Sequence, residues 1–210
     1  MNKYFSRQKW SYVFYTVSHP VDGYYWIRHI DKGSVPIAIL LVILFSFSFS
    51  FNRLFTSFVV NELDPRAVNS LTELGGVLLL YLLLCVSNWS VTCLMQGEGR
   101  LKDIAIAIGY AMVPFIFSFN AATLLSLFIA DGEEAFYWLI LGVGIAYGVL
   151  MILTGIMQVH NYSLAKTLLT LLLTLAAAFI IIFICVLFAD LLNQIYGFFY
   201  SIYIELIFRS

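Results

Sequence analysis

Three histidines, three cysteines and a few carboxylates are the groups in this sequence best able to do chemistry. His19, His29 and His160 stand far apart, and Asp22 and Glu98 are the carboxylates able to join them. A metal centre needs three or four such ligands converging at fixed distances. The spacing matches no zinc signature, and no two of these histidines stand four apart on one helix, so hydrogen-bonding histidines at an interface are expected. The rival reading is a membrane-embedded enzyme using His19, Asp22, Glu98 and His160 as acids and bases. Cys85, Cys93 and Cys185 form an odd set inside apolar segments and read as small apolar residues. Gly97-Glu98-Gly99-Arg100 is glycine-rich but lacks the preceding strand of a phosphate-binding loop, so it reads as a tight turn. The expectation is a non-enzymatic chain with no catalytic residues, no metal and no cofactor.

The elements that must position these groups follow from composition. The chain has 210 residues, 62% hydrophobic and only 11% charged, with a mean hydropathy of +0.94. Soluble domains carry roughly a quarter charged residues, so a soluble protein is excluded. A net charge of −1 leaves no footprint for nucleic acid. A spanning helix needs about 20 apolar residues. Runs of that kind extend from Val35 to Phe55, Leu74 to Leu94, Ile104 to Ile129, Ala135 to Val159 and Leu164 to Ala189, with Arg53 and Lys166 as their only charges. The first begins only after residue 34, so no cleaved leader is expected. Eight of the eleven basic residues fall on one side of this arrangement. The positive-inside rule then places the N-terminus in the cytoplasm of a multi-pass cell-membrane protein.

The fold class is therefore an all-α bundle of five transmembrane helices, with an N-terminal interfacial helix and a C-terminal amphipathic helix. Three units follow: a cytoplasmic aromatic segment 1–34, a membrane domain 35–189 and an interfacial tail 190–210. Trp10, Val13, Phe14 and Val17 share one helical face, and His19-Pro20 ends that helix. Asp22-Gly23 reads as a turn, or as Asp22 capping a second short helix. In the tail, Leu191, Ile195, Phe198, Ile202 and Leu206 recur at helical spacing, as in a helix lying on the outer surface, with a sixth span as the alternative.

Ionised residues are missing from the middle of the spans, whereas ion-coupled carriers place their working charges there. The polar groups at depth are mild: Ser46, Ser48, Ser50, Asn120, Thr154, Thr170 and Thr174. Pro114 kinks the third span, and Asn120 is expected to bond a neighbouring helix near it. Gly144 and Gly148, flanked by Gly142 and Gly155, offer a smooth face for close helix packing. Asn88-Trp89-Ser90 and Asn161-Tyr162-Ser163 match the glycosylation pattern but fall toward the cytoplasmic side, so modification of neither is expected.

Three segments stand out: His19-Pro20-x-Asp22-Gly23-Tyr24-x-x-Ile27-Arg28; Asn88-Trp89 with Gly97-Glu98-Gly99-Arg100-x-Lys102-Asp103-Ile104; and His160-x-Tyr162-Ser163. Their order and spacing, with Tyr110 and Pro114, resemble the bacterial branch of the Yip-domain family over about Tyr12 to Ala189. The resemblance implies five spans and a cytoplasmic N-terminus. The family is named for eukaryotic proteins that interact with Rab GTPases. This chain lacks their Asp-Leu-Tyr-Gly-Pro type motif, so Rab binding does not carry over. Some bacterial relatives look like companions of ABC-type carbohydrate importers.

Topology gathers the three segments on one face. His19, Asp22, Gly23, Tyr24, Arg28, Asn88, Trp89, Gly97, Glu98, Gly99, Arg100, His160, Tyr162 and Ser163 are the candidate interface for a protein or for lipid, and Pro114, Gly144 and Gly148 the candidate packing residues. Aromatic and arginine side chains suit a protein interface and suit lipid headgroups equally. The expected function is an accessory membrane subunit that stabilises or regulates a partner such as an ABC-importer permease. A solute channel or exporter lined by Pro114, Asn120 and the first-span serines is the alternative.

Overall fold

The computed structural model describes residues 6–61 and 64–208. These residues are helical apart from short connections. Two short helices, α1 (Arg7–Ser18) and α2 (Pro20–Ile30), precede α3 (Val35–Phe55), α4 (Ser70–Leu94), α5 (Leu101–Tyr110), α6 (Met112–Ser126), α7 (Glu134–His160) and α8 (Leu164–Phe208). Taken together, α5 and α6 make one crossing unit, so five units are long and apolar enough to span a membrane.

Local chemistry fixes the boundaries. Pro20 and Pro36 stand in the first turns of α2 and α3, where a missing N–H costs nothing. The turn expected at Asp22-Gly23 is absent: both residues lie inside α2, and His19 is its N-cap. Gly23 serves another purpose. A Cβ there would stand 2.7 Å from the Thr16 Cα, so the glycine lets α1 and α2 touch. Asn69 caps α4 by accepting from the N–H groups of Leu71 and Thr72. The second span therefore starts four residues earlier than hydropathy suggests and takes Glu73 into its first turn.

The third span is interrupted at one residue, Ala111, whose backbone stays in the right-handed helical region and whose N–H still reaches the Ala107 carbonyl. Proline lacks an N–H and its ring collides with the carbonyl four residues back. For Pro114 that carbonyl belongs to Tyr110, where α5 ends before α6 begins at Met112. The expected separation between the fifth span and the tail is also absent, because α8 runs unbroken through Ala189 and Asp190. The tail contains no proline, and its Asn193, Gln194 and Gly197 are tolerated within a helix.

The core lies where α2, α3, α5 and α7 meet. Tyr24, Ile27, Ile37, Ala38, Ile104, Ala107, Tyr110 and Met151 are fully buried there. At the far end, Asn52 donates to Thr123 at 2.8 Å and accepts from the Tyr137 hydroxyl at 3.1 Å. The Asn120 amide donates to Ser48 and to the Ile116 carbonyl, both at 2.7 Å, so it does bond the neighbouring helix. Glu73 pairs with Arg53 at 2.5 Å and accepts from Ser50. Hydrogen-bond partners at depth matter because hydrocarbon offers none.

Gly144 and Gly148 fit the close-packing expectation. A Cβ on Gly144 would run into Ser118, and one on Gly148 into Phe115, whereas Gly142 faces open space. Gly144→Ala should therefore destabilise the α6–α7 pair by about 1–3 kcal/mol, the usual cost of overpacking. Gly142→Ala should be neutral or slightly stabilising, and thermal unfolding in detergent separates the two.

Candidate functional site

At the end of the bundle that carries α1 and α2, the N-terminal hairpin is seated as part of the fold. The Tyr12 hydroxyl donates to the Gly23 carbonyl at 2.6 Å, closing α1 onto α2. Tyr24 enters the core and donates to the Ala107 carbonyl at 3.2 Å. Its ring lies 3.3 Å from where a Cβ on Gly155 would stand. Tyr147 of α7 donates to the Val17 carbonyl at 2.5 Å. Lys9 directs its ammonium at the carbonyls of Asp31, Lys32 and Gly33, at 2.7, 2.8 and 2.8 Å. These carbonyls follow the C-terminus of α2, where the helix dipole favours a cation.

The α4–α5 turn is built on His160. The ring is buried at 1% exposure, and its Nδ1 accepts from the Gly99 N–H at 3.2 Å. That bond requires an unprotonated Nδ1, so a neutral ring carries its proton on Nε2. The Nε2 of His160 and the Nε of Arg28 are both buried without a hydrogen-bond partner. Tyr162 stacks on the histidine at 5.3 Å and donates to the Met95 carbonyl at 3.1 Å. Both loop glycines are required by space: a Cβ on Gly97 would stand 2.6 Å from the His160 Nδ1, and one on Gly99 2.5 Å from Val159.

An ionic clasp joins the hairpin to this turn. Asp31, the C-cap of α2 with φ of 50°, accepts from Arg100 and from Lys102, both at 2.8 Å. Arg100 also binds Asp103 at 2.8 Å, and Asp103 is fully buried in the first turn of α5. The hydrogen bond from Lys102, with the charges of Arg100 and Lys102, holds the Asp31 carboxyl below its ordinary range. Asp103 in turn raises the Arg100 guanidinium.

Burial divides the sequence-derived site residues. Gly23, Tyr24, Asn88, His160 and Tyr162 lie inside the bundle. Asn88 donates to Thr174 at 3.0 Å and so links α4 to α8. Arg28, Gly97 and Gly99 are partly buried. His19, Asp22, Trp89, Glu98, Arg100 and Ser163 face outward. The histidines do not converge: His19 stacks on Tyr15, His29 on Tyr25, and His160 lies in the turn.

The clasp adds residues that motif reading passed over, chiefly Lys9 and Asp31. Lys9 has no sequence signature, because its three carbonyl partners become visible only in the fold. Asp31 sits beside a Lys-Gly pair at a helix end, and Asp103 stands three residues after Arg100 at a helix start. Those positions are readable as caps.

An all-helical chain with five spanning units and buried polar cross-links is a polytopic membrane protein. The Yip1 domain matches residues 14–186, and the chain belongs to that family. No curated protein and no solved structure matches it.

Two outcomes test this site. Gly97→Ala should displace His160 or Tyr162 and lower thermal stability, again by about 1–3 kcal/mol. The Asp31 carboxyl is depressed in the folded state, so the clasp contributes fully above the ordinary carboxylate range and is lost as pH falls through the lowered value. Amide protection factors in α1 and α2, corrected for the intrinsic exchange rate at each pH, should fall at acid pH, and Asp31→Asn should show that lower protection already at neutral pH.

Proposed function

We propose that this protein is a non-enzymatic accessory subunit that binds another integral membrane protein and stabilises or regulates it. Its N-terminus would lie in the cytoplasm of a cell membrane. Yip1-domain proteins are membrane proteins and generally non-enzymatic. The observation that carries the reading is the split of the motif residues by burial. Tyr24, His160 and Tyr162 brace the hairpin and the α4–α5 turn, Asn88 braces α4 against α8, and the braced elements hold Asp22, Trp89, Glu98 and Arg100 outward. A rigid scaffold presenting aromatic and charged side chains is suited to recognition.

The polar groups that a solute path would use are engaged elsewhere. Asn120 is bonded to Ser48, and Ser50 to Glu73. The sequence resemblance suggests the permease of an ABC-type carbohydrate importer as the partner, with lateral contact through the membrane helices and end-on contact through the exposed motif residues.

Affinity purification from native membranes in mild detergent tests this reading. The expected result is a co-purifying integral membrane protein, reduced about tenfold or more by Trp89→Ala with Glu98→Ala, a loss typical of interface hot spots. Recovery of the chain alone, or equal recovery of the partner with the double variant, would overturn it.

A further inference from the structure

Next to the ionic clasp is a pocket of about 360 Å³ bounded by Lys9, Asp31, Gly33, Ser34, Val35, Pro36, Lys102 and Ile106. Its volume falls within the ~300–1,000 Å³ common for small-molecule sites. One wall is charged and the other apolar. The apolar wall is supplied by Val35 and Pro36, the first residues of a 21-residue apolar helix, and by Ile106 of α5. The pocket thus sits at the level where a spanning helix leaves the headgroup region for hydrocarbon.

The charged wall has hydrogen-bonding capacity to spare. Lys102 commits one bond to Asp31, which leaves two of its three ammonium protons. Arg100, beside it on Asp31, bonds through Nε and Nη2 and leaves Nη1 open. Both side chains are nearly half exposed. Lys9 adds a third positive charge while its protons point at backbone carbonyls. With Arg100 paired to Asp103, the cations Lys9 and Lys102 stand against one carboxylate of the pocket wall, Asp31.

We infer that this pocket binds the phosphodiester headgroup of an anionic phospholipid, with Lys102 holding the phosphate and the Val35–Pro36–Ile106 wall taking the start of the acyl chains. A basic pocket between spanning helices is a recognised setting for such headgroups. The apolar wall separates a lipid from a soluble anion, which would gain nothing from it. The excess of positive charge favours a headgroup without its own cation, phosphatidylglycerol over phosphatidylcholine. The inference is independent of the partner proposed above.

Native mass spectrometry of the purified full chain, titrated with phosphatidylglycerol or phosphatidylcholine, tests it. The expected result is one retained phosphatidylglycerol, bound at least about fivefold more tightly than phosphatidylcholine, the effect of one membrane-proximal cation. Lys102→Ala should abolish that preference, Lys102→Arg should restore it, and Lys166→Ala, outside the pocket, should leave it intact. Thermal unfolding checks that each variant is folded. Equal affinity for the two lipids would overturn the site, as would an unaffected Lys102→Ala protein or an equal loss with Lys166→Ala. Displacement of the lipid by millimolar inorganic phosphate would reassign the site to a soluble anion.

Discussion

Hydrocarbon offers a polar group no partner, and this one constraint organises the whole chain. An unsatisfied donor or acceptor there costs several kcal/mol, so the asparagines at depth act as registration devices. Asn52 joins α3 to α6 and α7 through Thr123 and Tyr137. Asn120 joins α6 to α3 through Ser48. Asn88 joins α4 to α8 through Thr174. Apolar packing alone sets such registers weakly, because lipid tails are as apolar as leucine. The hydroxyls of Ser48, Thr123 and Thr174 bond back to the preceding turn of their own helix. That bond satisfies the hydroxyl proton while its oxygen accepts the cross-helix bond from Asn120, Asn52 or Asn88.

The same logic reaches the end that carries the hairpin, where the backbone changes direction and more groups need partners. The carbonyls past α2 accept from Lys9, the Gly99 N–H donates to His160, and the Met95 carbonyl accepts from Tyr162. Each bond depends on close approach, which explains the small residues there. Gly23 admits Thr16, and Gly97 and Gly99 admit the histidine and tyrosine rings. The motif glycines therefore serve packing, and His160 serves the turn. Residues of a catalytic type here do structural work, and the outward-facing residues gain a fixed position from it.

Much of the fold was legible because the membrane simplifies the code. Long uncharged runs locate the spans, and glycines four apart mark a helix contact. Pro114 marked the irregularity in the third span, which the structure places at Ala111, between α5 and α6. The site was legible only in outline. Spacing could bring His160 near Gly97–Arg100, but it could not say that the histidine is buried and Glu98 exposed. Helical periodicity carries little information when nearly every face is apolar, as in α4 and α8. Cap residues such as Asn69 and Asp103 were readable in principle but are masked by a hydropathy scan that discards charged residues from spans.

The C-terminal helix shows two boundaries that need not coincide. Backbone continuity depends on local chemistry, and nothing from Leu164 to Phe208 forbids a helix of 45 residues. At 1.5 Å per residue it extends about 68 Å, more than twice the ~30 Å of hydrocarbon. Solvent sets the second boundary. The stretch between Lys166 and Asp190 is free of charge and covers ~36 Å, a complete crossing. Beyond it, the segment from Leu191 to Phe208 carries three tyrosines and three phenylalanines, and Tyr196, Tyr200, Tyr203, Phe198, Phe199 and Phe208 are all exposed. Such amphipathic rings belong at a headgroup boundary. Asp190 thus marks the first charge after Lys166 along one unbroken helix, and hydropathy registers that change where backbone geometry does not.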